Sequence, residues 1–249
     1  LGWGDKFQLG YDKYPPLFPL FIELFYLIFG NQDWAYYFLS QLFVVSSFII
    51  IFKFSEGFFQ NRTHSLISVL LLEGIYFYNF TTPELNAFLC QFPFLAATVF
   101  YCWKSIKQND NVSWFLFGTF AALALLTYYL SFYLLSALSL FLIYIIIKDK
   151  KFNRKYLISL ISFIIVLLPH LIWIVDNNYI SIRYAFFRSF DDPLSELGNY
   201  QFFDHIFYPL IFLGKQIGVL VPFFIMFFFI ASNLKIKINY KDQKLIFLF

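Results

Sequence analysis

Apolar stretches of membrane-spanning length alternate along this chain with short polar connectors. The stretches cover residues 34–53, 65–80, 87–103, 114–126, 129–147, 156–175 and 205–234. A helix needs about 20 apolar residues to cross a bilayer. The pattern therefore predicts a chain of transmembrane helices, the shorter ones helped by tilt or by neighbouring loops. A further stretch, residues 15–29, is short, proline-rich and carries Glu23. We read it as an amphipathic helix lying on the outer membrane surface. Pro15 and Pro16 suit its first turn, where no amide donor is required. The alternative is a tilted span, which would carry residues 1–14 to the other side.

The connectors sort by charge. Residues 53–62, 104–107, 148–155 and 235–244 are basic, whereas 5–12, 81–84 and 176–204 are acidic and aromatic. Lys and Arg remain on the cytoplasmic side of polytopic proteins. Threading outward from the strongest basic connector, 148–155, puts 13 of the 18 basic residues on one side. The acidic set then lies on the outer face, together with 31–33, 80–86 and 127–129. Trp34, Trp103, Trp114 and Trp173 fall near segment ends, as an interfacial belt requires.

Composition closes off other classes. Hydrophobic residues make up 60% and aromatic residues 25% of the chain, with 39 Phe, and the mean hydropathy is +0.68. A water-soluble domain with that load would expose large apolar patches. The net charge of +3 is explained by the basic connectors and is no nucleic-acid footprint. Cys90 and Cys102 lie within one apolar segment and read as buried, inert thiols. The chain starts at Leu1 in loop-like sequence and closes, at 245–249, on what reads as the start of another span. An internal piece of one membrane domain is therefore expected. Residues 1–33 form an external loop with the interfacial helix, 34–234 the bundle, and 235–249 a cytoplasmic connector leading into the next span.

Few polar groups are placed to carry chemistry. Glu73 and Lys215 are ionisable groups inside spans, where charge is costly without a partner or a cavity. Either they pair with one another, or Lys215 holds an anionic headgroup. Lys13, before the surface helix, would bind a lipid phosphate or simply snorkel. Arg183 and Arg188 stand on the otherwise acidic outer face. A guanidinium fork suits phosphate, and salt bridges to Asp191 and Asp192 are the alternative. His170 is expected to hydrogen-bond within the bundle. Asp204 and His205, at the outer mouth of the last span, form one weak candidate ligand pair. No GxGxxG, P-loop or HExxH pattern is present.

Three sets of motifs share one likeness. The first is Gly10-Tyr11-Asp12-Lys13-Tyr14-Pro15-Pro16-Leu17-Phe18 followed by Phe29-Gly30. The second runs through Leu72-Glu73-Gly74-Ile75, Tyr78-Asn79-Phe80, Pro83-Glu84-Leu85-Asn86 and Gln91-Phe92-Pro93-Phe94. The third is Pro169-His170-Leu171-Ile172-Trp173 with Asn177, Arg183 and Tyr184. In order and spacing, from residue 10 to about 222, they resemble the family 39 glycosyltransferases. These are the protein-mannosyltransferase-like GT-C enzymes, and the nearest branch is the bacterial group that glycosylates lipopolysaccharide and other envelope acceptors.

The resemblance implies an all-α polytopic membrane protein, a GT-C-type helical bundle with a surface-lying external helix. It implies inverting transfer of a sugar from a polyprenyl-phosphate donor to a lipid or polysaccharide acceptor on the non-cytoplasmic face of a bacterial inner membrane. No nucleic-acid partner follows from it, and no cofactor besides the lipid-linked donor. In the family the main catalytic carboxylate follows the first span, a position that would precede Leu1. Asp12 and Glu84 are the carboxylates assigned here to the catalytic face. Lys13, Arg183, Arg188 and Lys215 are assigned to the donor phosphate, and no residue to a metal. The chain departs from the family pattern at Tyr14, where relatives place the Lys that precedes Pro-Pro. It departs again at Tyr128 and Phe88, where relatives often carry Lys and Asn. A transporter or flippase of lipid-linked glycans is the competing class. It predicts internal repeats and paired broken helices, and no repeat is evident.

Overall fold

The computed structural model describes residues 7–190 and 204–233. Among the described residues every regular element is a helix, with no strand. The helices are α1 (Leu17–Phe29), α2 (Asp33–Ser55), α3 (Arg62–Leu70), α4 (Ala87–Cys90), α5 (Phe92–Gln108), α6 (Asn111–Thr127), α7 (Ser131–Asp149), α8 (Tyr156–Asp176), α9 (Ile180–Phe190) and α10 (Asp204–Asn233). Four are long and apolar enough to cross a membrane: α2, α7, α8, and α10 over Ile206–Ser232. Their outward faces are apolar, with Ile147, Ile165 and Phe228 more than half exposed. Water would not tolerate that surface, whereas lipid does. The fold is that of an all-α polytopic membrane protein.

Local sequence explains the breaks. Asn61, Asn86 and Asp110 cap α3, α4 and α6 by accepting hydrogen bonds from the backbone N–H groups of Thr63, Leu89 and Ser113, at 2.8–2.9 Å. Such caps satisfy amide donors that have no intrahelical partner. Asn109 ends α5 in a left-handed conformation, φ 49°, which Asn adopts more readily than most residues.

At the centre α6 packs between α5 and α8. Small residues let it approach α8 closely, as in many membrane bundles. A Cβ on Gly118 would overlap the Ser159 carbonyl oxygen and the Ser162 hydroxyl. The Ser162 hydroxyl instead donates across the interface to the Phe115 carbonyl, 3.0 Å. On the other side of α6, Tyr101 and Phe120 stack at 5.3 Å.

Several sequence expectations are corrected. Residues 65–80 are not one span: α3 stops at Leu70 and continues as two 3-10 turns, Leu71–Gly74 and Tyr76–Tyr78. At Gly74 the backbone closes on α10, where an added Cβ would stand 2.8 Å from the Phe223 Cα. Trp103 and Trp114 do not face a belt. They are buried, at 6% and 1% exposure, because Gly57 leaves room for the Trp103 ring and Trp114 joins the Cys102, Phe117 and Leu138 cluster. Part of the 176–204 connector is helical, as α9. Residues 15–29 give α1, whose 13 residues rise only about 20 Å, too little for a core of about 30 Å. The helix folds back antiparallel along the first half of α2 through ring pairs Phe21–Phe43, Phe25–Phe38 and Phe29–Trp34.

Among the described residues, the basic and the acidic connectors gather at opposite ends. At the basic end, Phe54 and Phe58 of the 53–62 region pack on Trp103 at 5.5 and 5.2 Å. Asn153 donates to the Asn109 side chain at 2.6 Å, and the Lys155 ammonium donates to the Asn109 carbonyl. At the other end, the Ser40 hydroxyl donates to the Thr82 carbonyl. The Ser131 hydroxyl lies 3.0 Å from Gln91 Oε1 and 2.9 Å from the Ala124 carbonyl.

Candidate functional site

The segment before α1 is fastened across the ends of α8 and α9 at alternate residues. The Leu9 carbonyl accepts from His170 Nδ1 at 2.6 Å. The Tyr11 carbonyl accepts from the Ser181 hydroxyl at 2.8 Å. The Lys13 ammonium lies 5.3 Å from the centre of the Tyr184 ring, within cation–π range. Between these ties Gly10 meets the Trp173 ring so closely that a Cβ would overlap it. The segment bends at Leu9 and turns again at residues 12–14, where the Tyr11 N–H donates to the Tyr14 carbonyl at 3.1 Å, and residues 9, 11 and 13 each find a partner on α8 or α9.

Aromatic groups surround the fastening. His170 is 3% exposed and lies between two rings, Tyr129 at 6.0 Å and Trp173 at 6.1 Å. The Tyr129 hydroxyl lies 3.0 Å from His170 Nε2, and Ser181 stands beside it. Burial pushes the phenols of Tyr11, Tyr128 and Tyr129 up, with Tyr14 adding to the effect at Tyr128. All three stay protonated at neutral pH, and the Tyr129 hydroxyl is engaged with His170.

The sequence candidates are distributed as follows. Lys13 is exposed at this end, over a ring whose neighbour in sequence is Arg183, itself exposed on α9. Asp12 is exposed beside Lys13. Glu84 is exposed in the turn closed by its N–H and the Thr81 carbonyl. That turn is held to α2 through Thr82, and Leu85 packs near Phe18 and Phe21 of α1. Lys215 is exposed on α10, and no described contact joins it to Lys13 or Arg183. Glu73 is exposed on its 3-10 turn, and no ion pair with Lys215 occurs among the described residues. Arg188 lies on α9, but its side chain lies outside the described residues. So do the side chains of Asp204 and His205, and all of Asp5, Asp191, Asp192 and 235–244. Sequence reasoning missed Tyr129 and Ser181 as partners of the loop. Gly10 and Trp173 belonged to quoted motifs and were the available signal.

An apolar groove of about 670 Å³ opens between α6, α7 and α8. Leu125, Phe132 and Leu167 line it near the fastened segment, and Gly118, Leu142 and Ser159 line it deeper. Leu167 precedes His170 by one helical turn, and Phe132 follows Tyr129 by three residues. The groove therefore starts beneath the aromatic end and runs toward the basic one.

No curated protein and no solved structure matches the chain. A family model, dolichyl-phosphate-mannose-protein mannosyltransferase, matches residues 13–173, a narrower span than the likeness expected from 10 to about 222. It begins at Lys13 and ends at Trp173, two of the residues gathered at this site. Covering well over half of the sequence, it shows that the chain belongs to the dolichyl-phosphate-mannose-protein mannosyltransferase family of GT-C-type membrane glycosyltransferases.

Proposed function

We propose that this protein transfers a sugar from a polyprenyl-phosphate donor to an envelope acceptor on the non-cytoplasmic face of a bacterial inner membrane, with inversion at the anomeric carbon. Family membership gives the glycosyltransferase activity in general. The observation that supports the donor class is Lys13 over the ring of Tyr184, the sequence neighbour of Arg183, at the end of the bundle where an apolar groove begins. Cations at the membrane surface suit a phosphate, and a groove that begins at that end suits an apolar tail.

The chemistry follows from those groups. Lys13 and Arg183 stabilise charge that builds on the departing phosphate. Carboxylates on the same end, Asp12 and Glu84, are candidates for secondary roles in accepting the acceptor's hydroxyl proton. Tyr128, held protonated, donates a hydrogen bond to a sugar or phosphate oxygen. The basic end faces the cytoplasm by the positive-inside rule, which turns the site outward.

The test is transfer by the full-length protein in sealed vesicles of known orientation. Polyprenyl-phosphate sugars offered at the outer face are expected to support transfer, and nucleotide sugars are not. Transfer from nucleotide sugars alone would overturn the reading.

A further inference from the structure

Only residues 150–155 separate α7 from α8, and both helices are long and apolar enough to cross a membrane. A turn that short stays in the headgroup layer. From 148 to 155 the chain carries five cations, Lys148, Lys150, Lys151, Arg154 and Lys155, against one acid, Asp149. Two of the five are engaged. The Lys148 ammonium lies 5.5 Å from the Tyr144 ring centre, and the Lys155 ammonium donates to the Asn109 carbonyl. Lys150, Lys151 and Arg154 are exposed, and none forms an ion pair among the described residues, where the one pair is Arg62 with Glu56. The acids at this corner have their own neighbours: Asp149 stands beside Tyr156, and Asp110 accepts from Ser113.

The turn is held in place. Asn153 donates to the Asn109 side chain at 2.6 Å, and its side-chain oxygen accepts from the Lys155 N–H at 3.1 Å. Phe152 meets Tyr156 edge-on at 5.8 Å, and Tyr156 meets Trp114 at 4.7 Å. Even so, Phe152 is 55% exposed, an apolar ring flanked in sequence by cations. Lys150 closes α7 at φ 48°, a left-handed position that glycine ordinarily fills and that is costly for a residue with a Cβ. Strain of this kind gathers at binding sites.

We infer that this turn is a binding site for an anionic phospholipid: Lys150, Lys151 and Arg154 take the acidic headgroup, and Phe152 enters the acyl layer beside it. Groups of four to eight cations at the end of a span recognise acidic headgroups in this way. The site is separate from the sugar donor's, whose cations stand at the other end of the bundle. A soluble phosphate offers the same charge but nothing for Phe152.

The experiment is lipid binding by the full-length protein in an uncharged detergent, read by titration and by melting temperature. The probes are phosphatidylglycerol, phosphatidylcholine with the same acyl chains, and free glycerol phosphate. Phosphatidylglycerol alone is expected to raise the melting temperature. An equal rise with phosphatidylcholine would overturn the recognition of charge. Lys150→Gln, Lys151→Gln and Arg154→Gln together are expected to weaken phosphatidylglycerol binding about a hundredfold, near fivefold per cation. The matching triple at Lys53, Lys104 and Lys107, cations of the same end, is expected to leave it near wild type. Equal losses in the two triples would overturn the site in favour of a diffuse positive surface. Phe152→Ser is expected to weaken binding about tenfold. No loss in that variant, or an equal rise with glycerol phosphate, would overturn a lipid as the occupant. If the triple variant does not fold, Lys150→Gly decides. It is expected to keep or raise the melting temperature without lipid, because glycine suits the left-handed turn, while binding falls about fivefold. Unchanged binding in Lys150→Gly would overturn the site.

Discussion

Lys13 and Tyr184 face each other across 171 positions of sequence, with the ammonium 5.3 Å from the ring centre. One residue stands near the end of the segment before α1, and the other sits in the second turn of α9. The contact seats a cation on the ring whose neighbour in sequence is Arg183. Tyr184→Phe keeps the ring face and is expected to leave donor binding near wild type. Tyr184→Leu removes it and is expected to raise the donor KM by about three- to fivefold, the equivalent of a cation–π contact near 1 kcal/mol. A leucine variant with wild-type KM would show that the ring does not steer Lys13.

Close approach of α6 and α8 depends on Gly118. Its missing Cβ leaves room for the Ser159 carbonyl and the Ser162 hydroxyl, and backbone cannot move aside as a flexible side chain can. Gly118→Val is expected to destabilise the bundle by about 1–3 kcal/mol, the usual cost of overpacking. Gly214, on α10, has nothing within 4 Å of an added Cβ. Gly214→Ala is therefore expected to be neutral or to stabilise by up to about 1 kcal/mol through helix propensity. Thermal unfolding in detergent measures both, and equal effects would contradict the packing described.

The cap of α6 predicts a pH dependence. Hydrogen bonds from Ser113, first from its hydroxyl and then from its backbone N–H, hold the Asp110 carboxyl below its usual value. A lowered folded pKa stabilises above the unfolded value, about 3.9, and that contribution fades as pH falls through the folded value. Asp110→Asn keeps an acceptor but does not titrate. Wild type is expected to lose melting temperature relative to Asp110→Asn as pH falls from about 5 to about 3, a window around the free aspartate value. A difference that stays constant across that range would exclude the linkage.

The groove between α6, α7 and α8 offers a separate test. Ser136 lines it and is half-buried. Ser136→Trp fills part of it, whereas Ser136→Ala does not. With a long-chain polyprenyl donor the tryptophan variant is expected to lose at least about tenfold in kcat/KM. A donor with a short, water-soluble chain is expected to be affected less. Equal losses with both donors would move the tail elsewhere.

Some of this was legible in sequence. The long uninterrupted runs gave α2 and α8 to within two residues at each end, because apolar length alone specifies a span. The sorting of connectors by charge also anticipated which loops meet: 53–62, 104–107 and 148–155 gather at one end. The run 65–80 misled, since apolar content does not distinguish an α-helix from 3-10 turns. What breaks the helix is backbone packing of Gly74 on α10, a contact between residues far apart in sequence. Tryptophans near segment ends also misled. Position along a helix does not tell which face a ring takes, and at Trp103 the deciding feature is a glycine 46 positions earlier. The motifs around Lys13 and His170 marked the right segments. Their joining through the Leu9 carbonyl was hidden, because a backbone acceptor leaves no signature in residue identity.

The most direct measurement is sugar transfer from a polyprenyl-phosphate donor by the full-length protein carrying Lys13→Ala and Arg183→Ala together. The account predicts a loss of about a hundredfold in kcat/KM, roughly 2.7 kcal/mol of transition-state stabilisation, with membrane insertion and melting temperature unchanged. Wild-type turnover in the double variant would contradict it.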